Sequence, residues 1–147
     1  MATLKFKIDN DALVDEFFHD ARLLGIVAPL DGYKFCWHVN QFLKFKFRIN
    51  TGLEIQLIKK ERKYFFSIYD CCEKGGTIKH YLYNNEHEGE YLLPEYKHLD
   101  FLWLIKDDIM NNVEVNALVS VLKSIPAVQL VAELDIEKIK NRQHLIF

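Results

Sequence analysis

Residues Leu99–Ile105 read Leu-Asp-Phe-Leu-Trp-Leu-Ile, apolar at every position but Asp100. A strand with one wet face alternates; a strand apolar on both sides must be covered on both, so it belongs in the middle of a sheet. Its neighbours in sequence are therefore expected to be strands and helices that enclose it. Downstream, Asn111 and Glu114 form a capping pair, and Val115, Leu118, Val119 and Leu122 make the stripe of a helix packed on a sheet. Ser124-Ile125-Pro126 ends that helix, and Val128–Leu134 reads as the next strand. Strand, helix and strand over 99–134 form a crossover unit whose two strands lie parallel if they share a sheet.

The first half repeats the theme. Leu4, Phe6 and Ile8 alternate with charged residues as in a half-buried strand. An irregular or short helical piece to about residue 18 and a strand near 22–28 follow. Asp31 is placed to cap a helix lined by Phe35, Cys36, Val39, Phe42 and Leu43. Leu53–Ile58 and Tyr64–Tyr69 read as strands joined by the charged tip 59–62. Gly75-Gly76 marks a turn, Thr77–Tyr83 a further strand, and Asn84–Glu90 a polar loop. Residues 135–141 are read as a last helical turn. The apolar end His144-Leu145-Ile146-Phe147 is expected to dock as an edge strand or at an oligomer interface. The pattern predicts one domain over 1–147 of the α+β class. It is a two-layer sandwich of a mixed, mostly antiparallel sheet and two main helices, suggesting a ferredoxin-like arrangement with added strands.

The most distinctive string is Leu93-Pro94-Glu95-Tyr96-Lys97-His98-Leu99-Asp100-Phe101. Pro94 fixes φ and opens one helical turn, with Glu95 at its favourable anionic end. Glu95 and Asp100 then sit at one end of the sheet. They are either a carboxylate pair for acid–base work or acceptors that hold loop amides. The structural role is favoured, since no further catalytic group is tied to the pair.

That string resembles the signature of the bacterial IPExxxVDY proteins, named for Ile-Pro-Glu-x-x-x-Val-Asp-Tyr. Tyr33-Lys34-Phe35-Cys36-Trp37-His38-Val39-Asn40 and the closing Leu145-Ile146-Phe147 are similar to the family too, and the resemblance covers essentially the whole chain. Pro94, Glu95 and Asp100 match; Leu93, Leu99 and Phe101 stand where the family has Ile, Val and Tyr. The first two changes keep bulk and the third removes a hydroxyl, which favours a packing role at 101. The family has no established activity, so the resemblance implies neither a mechanism nor catalytic residues. Tyr33, Trp37, Asn40 and Phe147 are the candidates for a partner or ligand surface.

Other chemistries find little support. Cys36 and His38 lie about 200° apart around a helix and cannot share a metal. Cys71-Cys72 with His80 lacks zinc-type spacing, and Glu86-His87-Glu88-Gly89-Glu90 reads as a solvated acidic loop. No metal and no cofactor are expected. Lys44, Lys46 and Arg48 alternate with Phe45 and Phe47, as in some single-strand binders and equally in an ordinary strand. With 19 Lys+Arg against 21 Asp+Glu, the charge of −2 argues against nucleic acid. Walker, Gly-x-Ser-x-Gly and Gly-x-Gly-x-x-Gly motifs are absent. The longest stretches free of charge are nine residues, against about 20 for a membrane span. Three cysteines and no signal-peptide core point to the cytoplasm. Twenty aromatic residues (11 Phe, 7 Tyr, 2 Trp) are many for one small interior. The leading expectation is a non-enzymatic interaction or accessory domain acting as a homodimer. The alternatives are a small-ligand-binding regulatory module, and an enzyme using Glu95 and Asp100.

Overall fold

A computed structural model describes residues 11–72 and 76–147. The strand expected at 4–8 and half of the Gly75-Gly76 turn lie outside them. Residues 11–17 are helical (α1). There follow β1 (Arg22–Val27), α2 (Gly32–Leu43), β2 (Arg48–Lys59), β3 (Arg62–Cys72), β4 (Lys79–Asn84), β5 (Glu86–His87), β6 (Glu90–Tyr91), β7 (Phe101–Lys106), α3 (Asn112–Lys123) and β8 (Leu130–Leu134). The large sheet has the order β2-β3-β4-β7-β1-β8, and each pair of neighbours is antiparallel. The doubly apolar run is thus central, as its composition demands. Since β7 and β8 both run against β1, they are parallel to each other, as the crossover reading requires. By the same count β1 and β4 are parallel, with β7 between them. The strand near 53–58, expected to close the first strand–helix–strand unit, does not: β2 lies at the far edge of the sheet and β4 takes the place beside β7. With the β2–β3 hairpin inserted between α2 and β4, strands β1, β4, β7 and β8 and the two helices make the ferredoxin-like arrangement. Its two-residue tip, Lys60-Glu61, has φ of 50° and 66°, the primed turn that matches the twist of a hairpin.

One face of the sheet carries Leu24, Ile26, Leu82, Phe101, Trp103 and Ile105 under both main helices. Phe35 of α2 stacks on Phe101 at 4.5 Å between centroids. On α3, Val115, Leu118 and Leu122 are buried, and the Asn111 side chain accepts from the Glu114 N–H at 2.8 Å, as the capping pair predicts. The expected cap on α2 is different: Asp31 sits at the N-cap without a side-chain bond. Packing of Phe35, Cys36 and Val39 holds that helix instead. Phe42, expected in the core, is 55% exposed. Phe45 and Phe47 fill the space beneath, edge-on to Trp103 at 5.4 and 4.8 Å. The basic–aromatic alternation of 44–48 therefore has its rings in the core.

The opposite face, with Leu23, Leu102, Leu104, Tyr81, Tyr83 and the inner side of β2–β3, is closed as well. Val14 and Phe18 cover it from one end of the chain, and Ile139 and Leu145 from the other. The apolar C-terminus is neither an edge strand nor left outside. It forms a 3-10 turn (Arg142–Leu145), Leu145 is fully buried, and the Tyr83 hydroxyl donates to the Leu145 carbonyl at 2.8 Å. A tail that apolar finds its burial against its own sheet. Residues 84–90 are also more ordered than a polar loop: β5 and β6 pair across a turn at Glu88 and Gly89, whose φ values are 52° and 86°.

Candidate functional site

The signature string wraps around a residue that sequence reading missed. Asn85, fully buried, follows β4 directly. Its side-chain Nδ2 donates to the carbonyls of Tyr96 (2.9 Å) and Leu99 (3.0 Å), and its Oδ1 accepts from the Leu93 N–H (2.9 Å). Its backbone N–H donates to the Asp100 carbonyl at 3.0 Å, and its carbonyl accepts from the Leu92 N–H at 2.8 Å. One amide side chain thus takes the place of a strand partner for the whole turn, and the two carbonyls and one N–H around it fix its orientation. Pro94 opens the 3-10 turn Pro94–Tyr96, as predicted.

The two carboxylates face different partners. Asp100 Oδ2 accepts from the Ala28 N–H at 2.8 Å, while its own N–H donates to the Ile26 carbonyl at 2.8 Å. It holds the chain just past the end of β1 against the start of β7. Glu95 accepts from the Asn141 N–H at 3.0 Å and from the Asn141 Nδ2 at 3.2 and 3.3 Å. The His144 Nδ1 lies 2.7 Å from the Leu92 carbonyl. The string is therefore bonded on one side to β1 and on the other to the C-terminal segment. Leu93 and Leu99 are buried, and Phe101 lies in the apolar stack on Phe35. Gly25 in the middle of β1 has its reason here: a Cβ would stand 2.5 Å from Leu99 Cδ1.

The surface candidates divide. Tyr33 and Trp37, four residues apart on α2, are 63% and 58% exposed. The Trp37, His38 and Phe42 rings run on from one another, with centroids 5.1 and 6.3 Å apart. Asn40 faces inward instead: its Nδ2 donates to the Phe47 carbonyl and its Oδ1 accepts from the Phe47 N–H. Phe147 is half-buried against Tyr81 and Phe17. Among the described residues no group of three His, Cys, Asp or Glu gathers for a metal, and no helix is long and apolar enough to cross a membrane.

A cleft of about 770 Å³ lies between the end of α1, β8 and the turn after it. Asp15, Asp20, Glu133, Asp135 and Glu137 line it with Arg22 and Arg142. Arg22 is fastened to Glu133 through Nε (2.6 Å) and Nη2 (2.7 Å), and Arg142 to Asp15 at 3.0 Å.

Cys36 and Cys71 are buried and Cys72 is exposed. Burial pushes the Cys36 thiol from 9.0 up to about 12, and burial first, then Asp107, pushes Tyr81 from 10.0 to about 12. Both groups hold their protons more tightly folded than unfolded. Their contribution is complete below about pH 9 and is lost as pH rises toward 12. Urea midpoints are expected to be flat from pH 7 to 8.5 and to fall above pH 9. Cys36→Val makes the fall shallower, and iodoacetamide labels Cys72 before the other two thiols. An equal fall in the variant would rule out the Cys36 contribution.

No family model matches the chain, and no curated protein matches it.

Proposed function

We propose that this chain is an interaction domain that works as a homodimer in the cytoplasm. The observation that carries the reading is the exposure of Tyr33 and Trp37 side by side on α2, together with Phe42, in a chain whose interior is already filled by other aromatics. Rings left on one helix face offer large contact area at low entropic cost. The two carboxylates that could have done chemistry are engaged by backbone N–H groups, which supports a structural part for Glu95 and Asp100. Kinship with the IPExxxVDY proteins is proposed on the same ground: the positions that match or keep bulk, 93–95 and 99–100, are those that build the turn. An odd count of three cysteines, two of them neighbours in sequence, suits a reducing compartment.

The test is light scattering over a dilution series from about 100 to 1 μM. A concentration-dependent dimer is expected, and a strict monomer throughout overturns the dimer. Tyr33→Ser/Trp37→Ser is expected to change stability by no more than about 0.5 kcal/mol, because both rings are largely in water. A larger loss would place these rings in the fold rather than on a binding face.

A second reading, a small-ligand regulatory module, is favoured by the cleft beside β8. Its five carboxylates against two guanidiniums suit a cationic metabolite. A melting temperature that rises with such a compound would support it.

A further inference from the structure

We propose that the end of the β3–β4 ladder binds a small zwitterion, an α-amino acid, between the Tyr81 hydroxyl, Lys79 and Asp70. The inference stands apart from the homodimer and from the cleft beside β8. Among the described residues a recess of about 260 Å³ opens there, and its lining includes Asn50, Gly52, Asp70, Cys72, Lys79 and Tyr81. Two cross-strand pairs build it, Asp70 opposite Tyr81 and Cys72 opposite Lys79. Residues directly opposite, and residues two apart on one strand, share a face, so these four stand as neighbours on the second face of the sheet. β2 makes the room. Its register breaks between Ile49 and Glu54. Asn50 fastens that irregular stretch: its Nδ2 donates to Asp70 Oδ2 at 2.6 Å and its Oδ1 accepts from the Gly52 N–H at 2.9 Å. Breaks of this kind recur next to active sites, where they end the pairing and re-aim side chains.

The observation that points to a ligand is Tyr81. It is 8% exposed, and its ring is held against Phe147 at 4.8 Å between centroids. Its hydroxyl makes no hydrogen bond with any described residue. Buried hydroxyls are bonded as a rule, and Tyr83, two residues on, keeps the rule by donating to the Leu145 carbonyl. Burial first, then the carboxylates of Asp107 and Asp70, push the Tyr81 phenol up to about 12, so it stays a donor and lacks an acceptor. Lys79, next along β4 on the same face, is tied loosely, to Asp107 at 3.8 Å. A phenol and an ammonium side by side suit a carboxylate. Across the recess Asn50 occupies only Oδ2 of Asp70, and Oδ1 takes no hydrogen bond from any described residue. Arg48, opposite Asp70 on β2, forms no ion pair with it. That oxygen suits an ammonium. Asp70 and Asp107 disfavour a simple anion and Lys79 a simple cation, whereas a ligand carrying both signs satisfies each side. The volume lies below the range of about 300–1,000 Å³ for drug-sized ligands, as fits a molecule of few heavy atoms.

The test follows the backbone amide resonances of the full chain during titration with L-alanine, and separately with propionate and with ethylamine. L-Alanine is expected to shift the amides of Asp70, Cys72, Lys79 and Tyr81 saturably, and to slow alkylation of Cys72 by iodoacetamide. Propionate and ethylamine, which carry one sign each, are expected to bind at least about tenfold more weakly. Tyr81→Phe keeps the ring and removes the hydroxyl. It is expected to weaken L-alanine binding about tenfold while leaving the melting temperature unchanged or slightly higher, since no bond within the fold is lost. Asp70→Asn is expected to weaken L-alanine and to leave propionate as it was. The proposal is overturned if none of the three compounds gives a saturable shift, or if propionate or ethylamine binds as well as L-alanine, which would make this a plain ion site. Wild-type affinity in Tyr81→Phe also overturns it. So does a melting temperature lowered by more than about 4 °C in that variant, which would place the partner of the hydroxyl within the fold.

Discussion

Asn85→Ala is expected to cost about 4 kcal/mol and to lower the melting temperature by roughly 10–15 °C. The substitution strands two groups at once, the Leu93 N–H and the Leu99 carbonyl, and leaves the Tyr96 carbonyl with the Leu99 N–H alone. Each buried group left without a partner costs about 1–3 kcal/mol, less what relaxation and entering water recover. Against a total stability of about 5–15 kcal/mol that is a large share. Asn85→Asp should be no better, since it keeps the acceptor for Leu93 but turns a double donor into a carboxylate facing two carbonyls. Asn116→Ala, on the exposed side of α3, is the control and should be neutral or slightly stabilising. Urea unfolding of the three variants checks this, and a loss under 1 kcal/mol for Asn85→Ala would show that the turn stands without its centre.

Leu145→Ala is expected to cost about 3 kcal/mol, and Leu145→Asp to abolish cooperative folding. Leu145 has no exposure, and the carbonyl next to it is the acceptor for the Tyr83 hydroxyl in the middle of the second face. Truncation leaves a cavity among Tyr83 and its neighbours, and a carboxylate there has no partner. Phe147→Ala should cost less, about 1–2 kcal/mol, because that ring is only half-buried. Thermal melts with near-ultraviolet circular dichroism read both the stability and the tyrosine environment. If Leu145→Asp folds normally, the last residues do not pack on this sheet face, and the edge strand or oligomer interface that the sequence by itself suggested returns.

What could be read from the chain, and what could not, follows from range. The central place of β7 is legible because the run 99–105, apolar at all but one position, states that both faces are covered. The α3 cap is legible because Asn111 and Glu114 are three residues apart and their bond is local. The parallel relation of β7 and β8 follows from the helix between them. Asn85 was not legible: beside Asn84 it looks like loop composition, and its partners lie 8 to 14 residues further on. Nor could the sequence pair Glu95 with Asn141, 46 residues away. The tail's apolar character was plain, but whether it covers its own sheet or a neighbour's depends on how much of the second face the other elements leave bare.

The account centres on the signature string as the piece that ties β1, β7 and the C-terminal segment together. Asp100 tests it most directly, since one oxygen carries its role: Oδ2 accepting from the Ala28 N–H. Equilibrium urea unfolding of Asp100→Ala and Asp100→Asn is the measurement. The prediction is a loss of about 1–2 kcal/mol for alanine, largely restored by asparagine, which keeps an acceptor. Unchanged stability in Asp100→Ala would contradict the account and return that carboxylate to chemistry.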